Sequence, residues 1–446
     1  MGDSTNSVFE RECDVDAAVM DERPAVPPDV PAGTTGHRNP WGVLLVLLLI
    51  GILNYIDRGL PGILAEPIRR ELGLSDTILG VINGFGFLLV YAVSGIPISR
   101  MADSGRHAAV ITGSLMIWSL MTLLGSFVRN GWQFGFTRLG VAMGEAGSTP
   151  ASHAFISSNF RVEKRARALA ILALGGALGS MTGLVAGGYL SSLLGWRGTF
   201  ALMGLLGLVI APFAYLVLRR HAAVVQASAS TADTGRWTDL FQTRSGALVV
   251  AGGSLVATAA YANLAFAPAF LMRVHDLTIA QTGIQLGLAT GASGMFALLF
   301  TAWLADWLGK TDPLWTLRVL VGTMVLATPV LTTGYLIGDN VVAIACIAFG
   351  AACLNSYLTL TVVALYRLVS ANVRARTSAT LLFSTALFGG AGPLFVGLLS
   401  DALKPSFGET ALGYAMLLVP ALTFLASLTY AAASRTYRSD MARVAG

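Results

Sequence analysis

The chain has 446 residues, 54 % of them hydrophobic and only 12 % charged, with a mean hydropathy of +0.68, against roughly 45 to 50 % apolar and 25 % charged in an ordinary soluble domain. With 24 acidic and 29 basic side chains beside 50 glycines, it is excluded from the soluble domains, the coiled coils, the charge-rich disordered regulators and the nucleic-acid binders. The net charge is +5, and three cysteines, Cys13, Cys346 and Cys353, imply no disulfide framework.

Residues 1–40 hold eight acids, three arginines and a proline-rich stretch from Pro24 to Pro31, a net of −5, which predicts a disordered acidic tail. A basic n-region followed by an apolar core is absent from the start, so no cleavable signal peptide is expected and the first apolar run stays in the membrane. A bilayer core takes about 20 apolar residues per helix. Runs of that kind recur at 41–66, 79–101, 108–128, 133–157, 167–192, 199–219, 246–272, 281–307, 315–337, 341–367, 377–400 and 412–434, twelve in all. The longest break, 220–245, reads as a cytoplasmic linker between a six-helix bundle at 41–219 and a second at 246–435, with a short tail at 436–446.

Counting Lys and Arg in alternate loops sets the orientation, because basic residues stay on the cytoplasmic side. With both termini inside, 21 basic residues fall in cytoplasmic segments and 6 on the other side. The two that remain, Arg58 and Arg138, lie inside spans.

The halves echo each other. Asp103-Ser104-Gly105-Arg106-His107 follows the second span, and Asp306-Trp307-Leu308-Gly309-Lys310 follows the eighth. Arg165-Ala166-Arg167 follows the fourth span and Arg374-Ala375-Arg376 the tenth, 209 residues later, close to the 203 that separate Asp103 from Asp306. Equivalent loops on one side of the membrane mean duplication without inversion, and parallel halves with a site between them are a transporter architecture. The expected fold is an all-α integral membrane protein of twelve transmembrane helices in two parallel six-helix repeats, both termini cytoplasmic.

The two loop signatures, with Trp196, Arg197 and Phe200 after the fifth span, resemble the major facilitator superfamily across residues 41–435. The first loop is one residue shorter than the superfamily pattern and has Ser104 in place of an arginine. In the fifth span Gly179, Gly183, Gly187 and Gly188 resemble a glycine pattern of antiporters and exporters, with Leu184 where that pattern has proline. Asn54-Tyr55-Ile56-Asp57-Arg58, with Arg138 and Gly144-Glu145-Ala146, resembles the Spinster family of proton-linked lysolipid and sphingosine-1-phosphate carriers. The first of these motifs also occurs in the organic-anion:cation symporters.

Four ionic side chains sit away from the interfaces: Asp57, Arg58, Arg138 and Glu145. A charge at the bilayer centre costs at least about 2.5 to 3.5 kcal/mol, so each is expected to face the bundle interior or a water-filled cavity. Arg138 and Glu145 are seven residues apart, nearly one helix face and about 10 Å along the axis. The expected arrangement pairs Arg58 with Glu145 in one state, released when Asp57 or Glu145 takes a proton. Arg138 would then anchor an anionic head group through two hydrogen bonds. The competing reading is a static, charge-balanced cluster that locks two helices together.

Asn54 and Tyr55 join the candidate substrate contacts from the first half. From the second come Tyr261, Asn263 and Phe270 of the seventh span, with Asn355 and Tyr357 of the tenth, although aromatic and amide groups also serve helix packing. A cavity polar on one wall and apolar-aromatic on the other suits an amphipathic molecule. Asp103, Arg106, Asp306 and Lys310 are candidate gating residues on the cytoplasmic face, where a carboxylate can favour a facing helix N-terminus. The histidines lack metal-ligand spacing, no phosphate-binding loop is present and Gly144 to Ser148 form no nucleophile elbow, so no metal, cofactor or enzymatic activity is expected.

The resemblance and the charges together imply a proton-coupled secondary transporter of a lipid-like anion working by alternating access, monomeric, in a bacterial inner membrane, with protons, the bilayer and the substrate as its partners. The alternatives are an organic-anion symporter of the same superfamily, or a membrane sensor that binds a ligand without moving it.

Overall fold

The computed structural model describes residues 40–103, 105–221, 243–370 and 373–445. The acidic tail before Pro40 and all but the ends of the predicted linker lie outside the described residues. Every regular element among the described residues is helical.

Helices α1 (Pro40–Ile63), α2 (Ala65–Leu72) and α3 (Asp76–Gly80) lead through a π-helical turn at Val81–Phe85 into α4 (Gly86–Asp103). There follow α5 (His107–Gly125), α6 (Gly131–Glu145), α7 (Ser148–Asn159) and the long α8 (Val162–Arg219). The second half of the chain holds α9 (Arg244–Val274), α10 (Ile279–Gly309), α11 (Trp315–Leu336), α12 (Asn340–Asn355), α13 (Tyr357–Tyr366), α14 (Arg374–Phe407), α15 (Ala411–Met416) and α16 (Leu418–Ala445). The starts are fixed by polar caps. Asn130 accepts from the Gln133 N–H, Asp339 from that of Val342, and Thr278 forms a reciprocal box with Gln281.

Among the described residues, nine helices are long and apolar enough to cross a membrane. Eleven of the twelve apolar runs map onto these nine, and the fourth onto none, for physical reasons. The fifth and sixth runs share α8, where the backbone breaks only at Gly195 (φ 67°), a left-handed conformation that a side chain would strain. The last two runs fall in one continuous apolar stretch, Arg376–Arg443, which turns at Gly408 (φ 58°) between α14 and α15. The fourth run is cut after Glu145 into pieces of 15 and 12 residues, each too short alone. The tenth is cut after Asn355, and the second pieces begin at Ser148 and Tyr357, again 209 residues apart.

Glycine sets the closest helix approaches. Along the seam between α1 and α8, a Cβ on Gly179 would lie 2.6 Å from the Ile52 carbonyl oxygen, and one on Gly183 3.0 Å from the Ile56 Cα. The α8–α10 seam is tighter still: a Cβ on Gly283 would sit 2.4 Å from the Leu184 oxygen. Small residues let backbones meet where the bilayer supplies no hydrophobic force between helices.

The first and second halves of the chain clasp at one end of the structure. There a Cβ on Gly80 would stand 2.3 Å from the Pro393 oxygen, one on Gly397 2.3 Å from the Asp76 oxygen, and one on Gly62 2.7 Å from the Leu264 oxygen. Toward the opposite end, on α4 and α10, a Cβ on Gly95 or Gly294 would meet nothing within 4 Å.

Candidate functional site

Helix α1 carries Asn54, Tyr55, Asp57 and Arg58 because its apolar length lets two adjacent charges ride at depth only if neighbouring helices answer them. The answers come from α5 and α6. Arg58 Nε donates to Glu145 Oε2 at 2.7 Å, and Arg138 Nη1 stands 3.6 Å from Asp57 Oδ1, with the Thr122 hydroxyl donating to the other Asp57 oxygen at 2.6 Å. Two cations and two carboxylates make a tetrad that is neutral overall.

Its members differ in access. The side chains of Glu145, Arg138 and Asp57 are 0, 4 and 7 % exposed, whereas Arg58 keeps 17 %. The Arg58 guanidinium lies 4.6 Å from the Tyr91 ring centre and 5.5 Å from that of Tyr55, and Arg138 lies 5.2 Å from the Phe87 ring. Such rings favour a desolvated cation. Tyr261, from the second half of the chain, has its ring against Gly389 of α14.

The tetrad is incompletely satisfied. Glu145 Oε1, Asp57 Oδ1, Arg138 Nε and Nη1, and the Asn54 side-chain nitrogen are buried without a hydrogen-bond partner. Each would ordinarily cost about 1 to 3 kcal/mol, so the cluster has polar capacity left for a proton, water or a ligand group.

The sequence expectation placed the head-group anchor on Arg138. In this conformation the Arg138 side chain lies between Phe87 and Asp57 and is nearly buried, whereas Arg58 retains surface. The other candidate contacts divide. Tyr55 is 38 % exposed and its ring lies over Gly176; Asn355 is exposed at the α12–α13 break. Tyr357 is buried. Asn263 and Phe270 do not reach a ligand surface in this conformation. The Asn263 side-chain oxygen accepts from the Tyr335 hydroxyl at 2.5 Å, and Phe270, fully buried, packs edge-on against Tyr335 and His275.

At the clasped end lies a second ionic cluster that the sequence reading missed. Arg273, at the end of α9, donates to Glu66 at 2.5 Å and to both Asp76 oxygens at 2.7 Å, and the Ser400 hydroxyl adds a 2.7 Å bond to Asp76. Asp401 accepts from the Thr77 N–H at 2.8 Å and from the Thr77 hydroxyl at 2.6 Å. Burial alone would raise the Glu66 carboxyl, but the hydrogen bond from Arg69 and the charge of Arg273 bring it down to about 2. Glu71 closes a smaller cluster nearby, accepting from the Trp196 indole at 2.6 Å and from Arg197.

Among the described residues, the ion pairs that join the two halves all lie at this end: Arg273 with Glu66 and Asp76, and Arg69 with Glu409. At the opposite end Arg106, Asp306 and Lys310 are exposed. The side chain of Asp103 lies outside the described residues.

The Major Facilitator Superfamily profile matches residues 47–368. The chain belongs to the major facilitator superfamily. As a member it is an integral membrane protein, a transporter and not an enzyme. It is 43 % identical over 408 residues to an MFS-type efflux pump of Mycolicibacterium smegmatis, covering 91 % of this chain and 95 % of that one. It is 27 % identical over 303 residues to a probable L-galactonate transporter of Escherichia coli, covering 64 % of this chain and 66 % of the relative. In structure it is similar to a bacterial homologue of the human lysosomal transporter Spinster in an inward-facing, unoccupied conformation, with a TM-score of 0.81, 26 % identity, and 90 and 99 % of the two chains covered.

Proposed function

We propose that the protein is a proton-coupled secondary transporter of an amphipathic, lipid-like anion, working by alternating access between two parallel six-helix repeats of a twelve-helix fold. The observation that carries this reading is the buried Arg58–Glu145 pair, whose arginine retains surface while its partner has none. An anion that reaches Arg58 competes with Glu145 for the guanidinium. A carboxylate that loses its cation in a buried site favours proton uptake. Anion and proton therefore bind together, and a two-state protein that binds both transports both. Asp57, held by Arg138 and Thr122, serves as the second proton-linked carboxylate. Tyr55, Tyr261, Asn54 and the tenth-span pair Asn355 and Tyr357 serve as walls for the substrate.

With both termini cytoplasmic in a bacterial inner membrane, the clasped end holding Glu66, Asp76 and Arg273 faces outward. The present conformation is then inward-facing, in keeping with the similarity to the inward-facing Spinster homologue. Asp103, Arg106, Asp306 and Lys310 would act as the opposing gate in the other state. A monomer suffices, since each chain holds both gates.

The similarity to an efflux pump favours a second reading, in which a cationic group of the substrate takes Glu145 in place of the proton and the two are exchanged. Uptake into liposomes under an imposed pH gradient separates these. A lysophospholipid, sphingosine-1-phosphate and a hexuronate are compared, with Arg58→Ala and Glu145→Gln as controls. Anion accumulation on the alkaline side supports co-transport with protons. Accumulation on the acidic side supports exchange, and a flux insensitive to both substitutions overturns the proposal.

A further inference from the structure

A groove of about 640 Å³, lined by Trp41, Glu163, Lys164, Arg167 and Ile171, opens where α1 and α8 begin. It stands apart from the tetrad. Trp41 is fixed on two sides: its ring packs edge-on against Phe160 with centroids 6.0 Å apart, and the Arg167 guanidinium lies 5.4 Å from its centre.

The charges around the groove are unevenly committed. Arg161 and Glu163 approach to 3.8 Å, and Arg165 Nε donates to the Phe160 carbonyl at 2.9 Å. Lys164 and Arg167 have no carboxylate within salt-bridge distance among the described residues. Among the described residues, the groove therefore presents two cations without a carboxylate partner, beside Glu163, an indole and an aliphatic side chain, at the first turn of two membrane helices.

We propose that this groove is a binding site for the headgroup of an anionic phospholipid. The indole of Trp41 sits at the start of its span, where aromatic side chains hold the level of the headgroups. Lys164 and Arg167 offer a phosphate a compact ammonium and a planar two-point donor. Basic pockets between transmembrane helices on the cytoplasmic side suit anionic headgroups. Ile171, one turn deeper than Arg167, continues the groove toward the acyl region. A free phosphate would satisfy the cations alone and leave Trp41 and Ile171 without a role. The inference rests on the membrane orientation proposed above and not on proton coupling.

The test is lipid retention by the full-length protein, purified from vesicles of equal phosphatidylglycerol and phosphatidylcholine and weighed intact with its bound lipids. Phosphatidylglycerol is expected to be retained about tenfold over phosphatidylcholine. Lys164→Gln with Arg167→Gln removes the preference, Lys164→Arg with Arg167→Lys retains it, and Arg219→Gln with Arg435→Gln, exposed residues outside the groove and equal in charge lost, also retains it. Equal retention of both lipids by the unaltered protein overturns the site, as does equal loss in the two charge-removing variants. Displacement of the lipid by soluble glycerol phosphate at comparable concentration overturns the assignment to a lipid. The assay uses neither substrate nor pH gradient, so its failure leaves the transport proposal standing and is separable from it.

Discussion

Arg273 holds Asp76 through a two-point ion pair, with both nitrogen-to-oxygen distances at 2.7 Å, across 197 residues of sequence. The same guanidinium reaches Glu66 at 2.5 Å, so one cation in the second half of the chain closes on two buried carboxylates of the first. Removing one partner of a buried pair costs about 3 to 5 kcal/mol, because the remaining charges stay uncompensated.

Arg273→Gln is therefore expected to shift the protein toward the state in which this end is open, by tenfold or more. Spin-label distances between α2 and the end of α14 would report it as a growing long-distance population. An unchanged distribution would show that the cluster is not a latch.

The latch is expected to be indifferent to pH in the physiological range. The Glu66 carboxyl is held down at about 2, so the stability it contributes is complete above the ordinary carboxylate range near 4.5 and is lost only as pH falls from there toward 2. The same distances measured from pH 8 to pH 5 should not move. Any proton dependence of transport in that window then arises at a group other than Glu66.

Glu145→Gln should leave the protein folded and abolish the response of transport to a pH gradient, with a loss of about tenfold or more in driven flux. The amide still accepts a hydrogen bond from Arg58 but takes up no proton. Driven uptake that remains fully sensitive to the gradient would assign the proton to another group.

Thr122→Val should cost about 1 to 3 kcal/mol of stability, since it strips the donor from a buried Asp57 oxygen whose companion already lacks one. Thermal unfolding in detergent checks this, with Thr122→Ser expected to restore most of the loss.

Closure by backbone contact gives a further test without altering charge. Gly80→Ala places a methyl 2.3 Å from the Pro393 carbonyl, whereas Gly95→Ala places one in open space. The first should populate the opened clasp and the second should not, by the same distance measurement.

Much of this was legible in the sequence because the bilayer makes charge expensive. Asp57, Arg58, Arg138 and Glu145 stood out as ionic residues in apolar runs, and the structure brings the four together. Their pairing was only half legible. The spacing of Arg138 and Glu145 placed them on one face, but the pairing of Arg138 with Asp57 depends on how α1 and α6 pack. Thr122 carried no signal, since threonine in a membrane helix ordinarily bonds its own backbone. The cluster of Glu66, Asp76 and Arg273 was overlooked because those residues lie at helix ends, where charges are common and only tertiary contact distinguishes a latch from a solvated rim. Asn263 and Phe270 show the converse: an amide and an aromatic on a candidate cavity helix proved to be packed against Tyr335.

The clasp made of Gly62, Gly80, Gly188, Gly283 and Gly397 has a thermodynamic consequence. A contact of backbone against backbone freezes almost no rotamers when it forms and frees almost none when it parts, so at these glycines the side-chain ordering term that usually opposes an interface is small. The ordering and the hydration of the Arg273, Glu66 and Asp76 ions then carry more of the balance between the two states. An equilibrium of that kind lies within reach of one proton or one bound anion.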